Sequence, residues 1–174
     1  ALVREPHEHA GDDVTCAVMY FRSPRKLLVL SGPPFDGQRD REYAEMLGKF
    51  PGRKAICGGT TAEIVARELG RPLVTDLATA RGGMPPLSSM DGVDLITEGI
   101  LTLTLVSKIL DGKEIVREKN SAARLASLLL ESDRISFVVG TRVNEAHQDP
   151  TLPVELEMRR NIIRTIVHPG GKVP

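Results

Sequence analysis

Apolar and polar positions along this chain alternate between two rhythms. Residues 55–57 are a short apolar run of the kind a strand buried on both faces shows, and the mainly apolar stretches 26–31, 93–96 and 135–139 also read as strands, the last of them buried. Between them, apolar positions recur at helical spacing. Residues 36–50 set Tyr43, Met46, Leu47 and Phe50 on one face, and residues 60–69 do the same with Ile64, Val65 and Leu69. Further helices are expected over residues 100–110, from Asn120 or Ser121 with Ala123, Leu125, Leu128 and Leu129 inward, and from Pro153 to about residue 167 with Leu156, Ile162, Ile163 and Ile166 inward. Residues 14–21 read as a strong strand. Residues 71–76 read as a short edge strand, because Pro72 argues against a central place. The alternation predicts an α/β fold: a mostly parallel, Rossmann-like sheet with helices on both faces. Residues 14–21 and 26–31 are close enough to form an N-terminal antiparallel edge hairpin. Residues 80–92, rich in Gly, Pro and Ser, read as a mobile loop and a candidate lid.

The best-defined unit lies at residues 53–70. Ala55-Ile56-Cys57 is the strand, Gly58-Gly59 the turn, Thr60-x-x-Glu63 a capping box, and Gly70 stands where a helix C-cap glycine belongs. A glycine turn feeding a helix offers free backbone N–H groups and the positive end of the helix dipole, which suits a phosphate or carboxylate. The unit lacks the Walker lysine and is not the dinucleotide fingerprint. A tight turn with nothing bound is the alternative.

Four predicted strands end alike, and this widens the candidate site. Their ends are Ser31-Gly32, Gly58-Gly59-Thr60-Thr61, Thr97-Glu98-Gly99 and Gly140-Thr141. Ligands of open α/β sheets bind outside the carboxyl ends of the strands. Glycines admit a ligand to the backbone and hydroxyls donate to oxyanions, so a small anionic ligand is expected there. Glu98 is the one acid of the set. It either binds a ribose hydroxyl, a metal or an amine, or caps the helix that begins near Ile100. Arg142 and Arg81 are candidate cations, and Asn144, His147 and Gln148 form a polar cluster near the same end. Glu98 and His147 are the weak catalytic candidates, His147 because imidazole titrates near neutrality.

Composition narrows the field. The 174 residues suffice for one ordinary core. The 23 basic and 23 acidic residues balance, so bulk charge points to neither nucleic acid nor an anionic membrane. Aromatics are scarce and Trp is missing, which argues against stacking on nucleic-acid bases. No apolar run is long enough to span a bilayer and no signal-peptide pattern occurs. Two cysteines make no disulfide framework, so a reducing, cytoplasmic setting is expected, with Cys57 a small core residue. His7 and His9 are spaced to pinch a metal but sit in a polar terminus.

Gly11-Asp12-Asp13-Val14-Thr15, followed by an apolar strand, resembles the closing motif of bacterial SpoIIE-type (type 2C-like) metal-dependent protein serine/threonine phosphatases. The resemblance covers residues 1–22. It implies that Asp12 is a ligand of a catalytic Mg or Mn pair, that Asp13 is its neighbour, and that residues 14–21 are the last strand of a β-sandwich. Residues 1–22 would then be the tail of a phosphatase domain and residues 23–174 a separate α/β C-terminal domain; a start at Ala1 rather than Met fits such a fragment as well as a processed start, and the resemblance favours the fragment. Ile56-Cys57-Gly58-Gly59-Thr60-Thr61-Ala62 and Thr97-Glu98-Gly99 also look like the C-terminal extension of a subset of these phosphatases. The family removes phosphate from phosphoserine or phosphothreonine of a phosphoprotein substrate. One aspartate cannot assemble a two-metal site, so this chain alone is expected to be inactive. The first reading is therefore a regulatory domain binding a small anionic effector. The alternatives are an independent enzyme on a nucleotide or sugar phosphate, and a dimerisation or protein-interaction module whose contact is the 14–21 edge.

Overall fold

The structure, a computed structural model, describes residues 15–76, 87–113, 120–141 and 152–168. Among these, six strands form one sheet: β1 (Lys26–Ser31), β2 (Arg53–Cys57), β3 (Val74–Asp76), β4 (Leu87–Met90), β5 (Val93–Thr97) and β6 (Arg134–Val139). Five α-helices accompany them: α1 (Asp40–Lys49), α2 (Gly59–Leu69), α3 (Ile100–Leu110), α4 (Ser121–Leu130) and α5 (Leu152–Val167). The strand order is β3-β4-β5-β2-β1-β6. β5, β2, β1 and β6 run parallel, and β4 and β3 add antiparallel at one edge. The chain is an α/β protein with a mostly parallel sheet and helices on both faces.

Strand alternation sorts the core into two layers. Leu28, Leu30, Ile56 and Ile96 face α1 and α2, where Tyr43, Ala44, Leu47, Ala62 and Val65 cover them. Leu27, Val29, Ala55 and Leu95 face α3, α4 and α5, against Leu103, Val106, Leu125, Ile163 and Ile166. Helix α4 starts as expected, with the Asn120 side chain accepting a hydrogen bond from the Ala123 N–H at 2.8 Å. Helix α2 ends on Gly70 in the left-handed conformation, φ +61°. No helix among the described residues is long and apolar enough to cross a membrane.

Four local expectations are corrected. The antiparallel part of the sheet is β3–β4–β5, not a hairpin of residues 14–21 with β1. Both edges of β1 are taken by β2 and β6, so no slot remains beside it. Residues 15–25 accordingly carry no helix or strand, and Val18, Met19, Tyr20 and Phe21 are 81–86% exposed. Residues 87–90, read as part of a loop, form β4, because Met90 (5% exposed) packs into the layer under α2. The helix expected over residues 36–50 is split into a turn of 3-10 helix at Gly37–Arg39, capped by Asp36, and α1 proper. The last strand, β6, is an edge strand rather than a buried one, and Ile135 is 41% exposed.

Candidate functional site

The four parallel strands end in register. Val139 lies beside Ser31, Ser31 beside Cys57, and Cys57 beside Thr97. Because the side-chain period of a strand is two, these last residues share one face, the face that α5 covers. The result is a polar row, Ser31–Cys57–Thr97, at the top of an apolar layer. Thr97 donates its hydroxyl to the Glu98 carbonyl at 2.8 Å, while the buried Ser31 hydroxyl has no partner.

Beyond this row two helices begin side by side. The N-cap of α2 is Gly58, with φ +135°, and that of α3 is Gly99. Thr60 therefore stands inside the helix and does not cap it, so the expected capping box is not formed. A glycine at φ +135° starts the helix two residues early because only a residue without Cβ takes that backbone freely. Glu98 does not cap α3 either. Neither helix has a side-chain cap or an acidic residue in its first turn. The first intrahelical bonds are Ala62 N–H to Gly58 O (3.0 Å) and Leu103 N–H to Gly99 O (3.2 Å), so three amides at each start precede the ladder. A Cβ on Gly99 would lie 3.8 Å from the Gly58 Cα, which puts the two starts in contact.

A cavity of about 260 Å³ opens there, lined by Gly32, Pro33, Gly58, Gly59, Thr60, Thr61, Glu98 and Gly99 together with Arg159 from α5. The structure thus brings together seven of the expected site residues. Ser31 and Thr97 sit just beneath. Gly140 and Thr141 do not join: they line a different cleft, of about 390 Å³, with Phe35, Tyr43 and Met46. The crevice between β1 and β6 is plugged, because a Cβ on Gly140 would overlap the carbonyl oxygens of Gly32 and Pro33. The charges of that second cleft are already engaged, Arg39 with Glu42 at 3.1 Å and Asp36 with the Gln38 amide. Asp12, Arg81, Arg142, Asn144, His147 and Gln148 lie outside the described residues. Among the described residues no group of three or more His, Cys, Asp or Glu is placed to hold a metal ion.

Arg159 is the residue the sequence reading missed. Its guanidinium packs over Gly32, where any Cβ would overlap it, and its charge reaches both Tyr43 and Cys57. Half-buried, it makes no ion pair or hydrogen bond with the described residues, and its Nε is enclosed without a partner. Thr61, 1% exposed, likewise has a hydroxyl with no partner, beneath Gly58. The Tyr43 hydroxyl donates to the Gly32 carbonyl at 2.8 Å and pins the loop; burial, despite the nearby Arg159, pushes its pKa up. Burial also pushes the Cys57 thiol up to about 11. A protonated, enclosed thiol is no nucleophile. Among the described residues the rim gathers two helix N-termini, the Arg159 guanidinium and the spare Thr61 hydroxyl, with that of Ser31 beneath, against the exposed carboxylate of Glu98.

Comparison with protein-family models, with curated proteins and with solved structures finds no match to this chain. The functional reading therefore rests on the geometry of this rim.

Proposed function

We propose that this chain is a ligand-binding regulatory domain that takes a small anionic effector at the carboxyl ends of β1, β2 and β5. One observation supports this above all: Arg159, which pairs with no carboxylate among the described residues, lines the same cavity as two helix starts that no side chain caps. Leaving an enclosed guanidinium nitrogen unpaired is costly, and an anion would remove that cost. The resemblance of residues 1–22 to the end of a SpoIIE-type phosphatase suggests the setting, a C-terminal domain that adjusts a metal-dependent phosphatase. In that setting Asp12 holds Mg or Mn only when the phosphatase domain is intact. The chain alone should show no metal-dependent phosphatase turnover, and measurable turnover would overturn this part of the reading.

The ligand claim is tested by thermal unfolding with inorganic phosphate, acetate and succinate, each with and without Mg²⁺. A ligand at about a hundred times its dissociation constant stabilises by roughly 2.7 kcal/mol, a shift of roughly 5–10 °C at this size. At least one anion should raise the melting temperature of the wild type and not of Arg159→Gln. No shift from any anion would sink the reading.

A further inference from the structure

The donors at the rim differ in number and direction from what a carboxylate needs. We infer that the ligand is a phosphomonoester of a small, hydroxylated, non-aromatic molecule. This rests on the anion-binding reading above and narrows it.

The phosphoryl group is selected by the shape of the donor set. Donors come from three elements that line the one cavity: the first turn of α2, the first turn of α3 beside it, and Arg159 of α5. A carboxylate offers its oxygens in one plane and one charge. A phosphomonoester offers three terminal oxygens on a tetrahedron and a charge of about −1.5 to −2 near neutral pH. Three terminal oxygens give each of these elements an acceptor of its own, where a carboxylate offers two. The Thr61 hydroxyl, 1% exposed and unpartnered among the lining residues, and the unpartnered Nε of Arg159 are the spare donors such a group would engage.

The remainder of the ligand is constrained by the walls. Among the described residues no aromatic side chain lines the cavity, so a nucleobase has nothing there to stack on. Pro33, Ile100 and Leu101 give a small apolar flank, and about 260 Å³ has room for a phosphoryl group and a small polyol. Glu98 is exposed at the mouth and is the only acid among the described lining residues. A carboxylate at that place accepts hydrogen bonds from ligand hydroxyls and repels a second phosphate. Together these favour a sugar or polyol monophosphate over nucleotides and diphosphates.

The test is isothermal titration of the whole chain with inorganic phosphate, glycerol phosphate, ribose phosphate, adenosine monophosphate, acetate and succinate. Glycerol phosphate or ribose phosphate should bind about tenfold or more tightly than inorganic phosphate, acetate or succinate. Adenosine monophosphate should bind no tighter than ribose phosphate. Glu98→Gln should erase the preference for the sugar phosphate, because inorganic phosphate gains from the lost negative charge while the sugar phosphate loses a charged acceptor for its hydroxyls; a preference that survives Glu98→Gln would overturn the role of Glu98. Thr61→Val should weaken every phosphate several-fold. Gly59→Glu puts a carboxylate into open space at the start of α2, where a Cβ meets nothing within 4 Å. It should melt no lower than the wild type and bind none of the ligands. Carboxylates binding as tightly as the phosphates would overturn the phosphoryl inference and leave the anion reading standing. Adenosine monophosphate binding tenfold tighter than ribose phosphate would overturn the non-aromatic assignment. Loss of all binding in the wild type, or binding unchanged by Gly59→Glu, would overturn both.

Discussion

Cys57 closes the central strand at the floor of the cavity, where many α/β proteins place a working side chain. Its environment argues for the opposite role. Burial raises the thiol to about 11, although Arg159 and a hydrogen bond with Thr97 both act to lower it. The desolvation of the thiolate outweighs both. At pH 8 roughly one molecule in a thousand would carry the thiolate, from the difference between the two values. Brief iodoacetamide treatment of the native chain should therefore modify the exposed Cys16 and spare Cys57, with both labelled after unfolding. Mass spectrometry of the intact chain reads the count, and rapid double labelling of the native state would show the site to be open. The sequence made this residue legible, because a cysteine that ends the apolar run Ala55-Ile56-Cys57 reads as a small core residue. It also contained the signal for Arg159, which went unread. Arg159, Ile163 and Ile166 fall at positions i, i+4 and i+7 of α5, so the arginine continues the stripe of buried isoleucines. A charge on an apolar stripe must find something to meet, and here that place is the rim.

At the scale of elements, one contact outside the site ties the N-terminal segment to the sheet. Asp133 lies just before β6. It accepts from Arg22 Nη2 at 2.7 Å and from the Arg25 amide at 2.7 Å, and the Arg25 carbonyl in turn accepts from the Asp133 and Arg134 amides. The Arg22 guanidinium, then the Arg25 amide, hold the Asp133 carboxyl well below the usual carboxylate range. A group whose folded pKa is depressed contributes stability above its unfolded value, about 3.9 for Asp. That contribution is lost as pH falls through the folded value. The Arg25 amide proton, followed by NMR, should titrate with a midpoint below 3.9, and in Asp133→Asn the titration should vanish. A midpoint at or above the ordinary value would mean the clamp is not made in solution. Apolar runs announced β1, β2, β5 and β6, because their interior positions face a helix layer on either side. β4 was hidden, since Leu87-Ser88-Ser89-Met90 has no apolar run and is a strand only by pairing with β5 and burying Met90. Pairing partners are a tertiary property, and for the same reason residues 15–21 have strand propensity and no strand.

For the molecule as a whole, that leftover segment is the feature most able to change its state. Four consecutive large apolar side chains, Val18, Met19, Tyr20 and Phe21, are 81–86% exposed, and β6 at the neighbouring edge pairs on one side with β1. Scattered apolar residues on a surface are ordinary, but a contiguous run is not. In the reading proposed above, these side chains are covered by the sandwich of a phosphatase domain to which residues 1–22 belong. In the isolated chain, a second copy is the nearest available cover. Burying each side chain is worth roughly 1.5–3 kcal/mol, so a full covering yields on the order of 10 kcal/mol. Association itself costs about 4–15 kcal/mol, which consumes most or all of that gain. Sedimentation velocity should consequently find a monomer at low micromolar concentration, with weak association appearing as concentration rises. The double variant Tyr20→Ser, Phe21→Ser should remove the association without lowering the melting temperature, because neither side chain packs on the α/β core. A tight dimer that survives the double variant would place the contact elsewhere, with the free edge of β6 the first surface to examine. It would also favour the protein-interaction reading over a domain whose apolar tail is covered by the rest of its own protein.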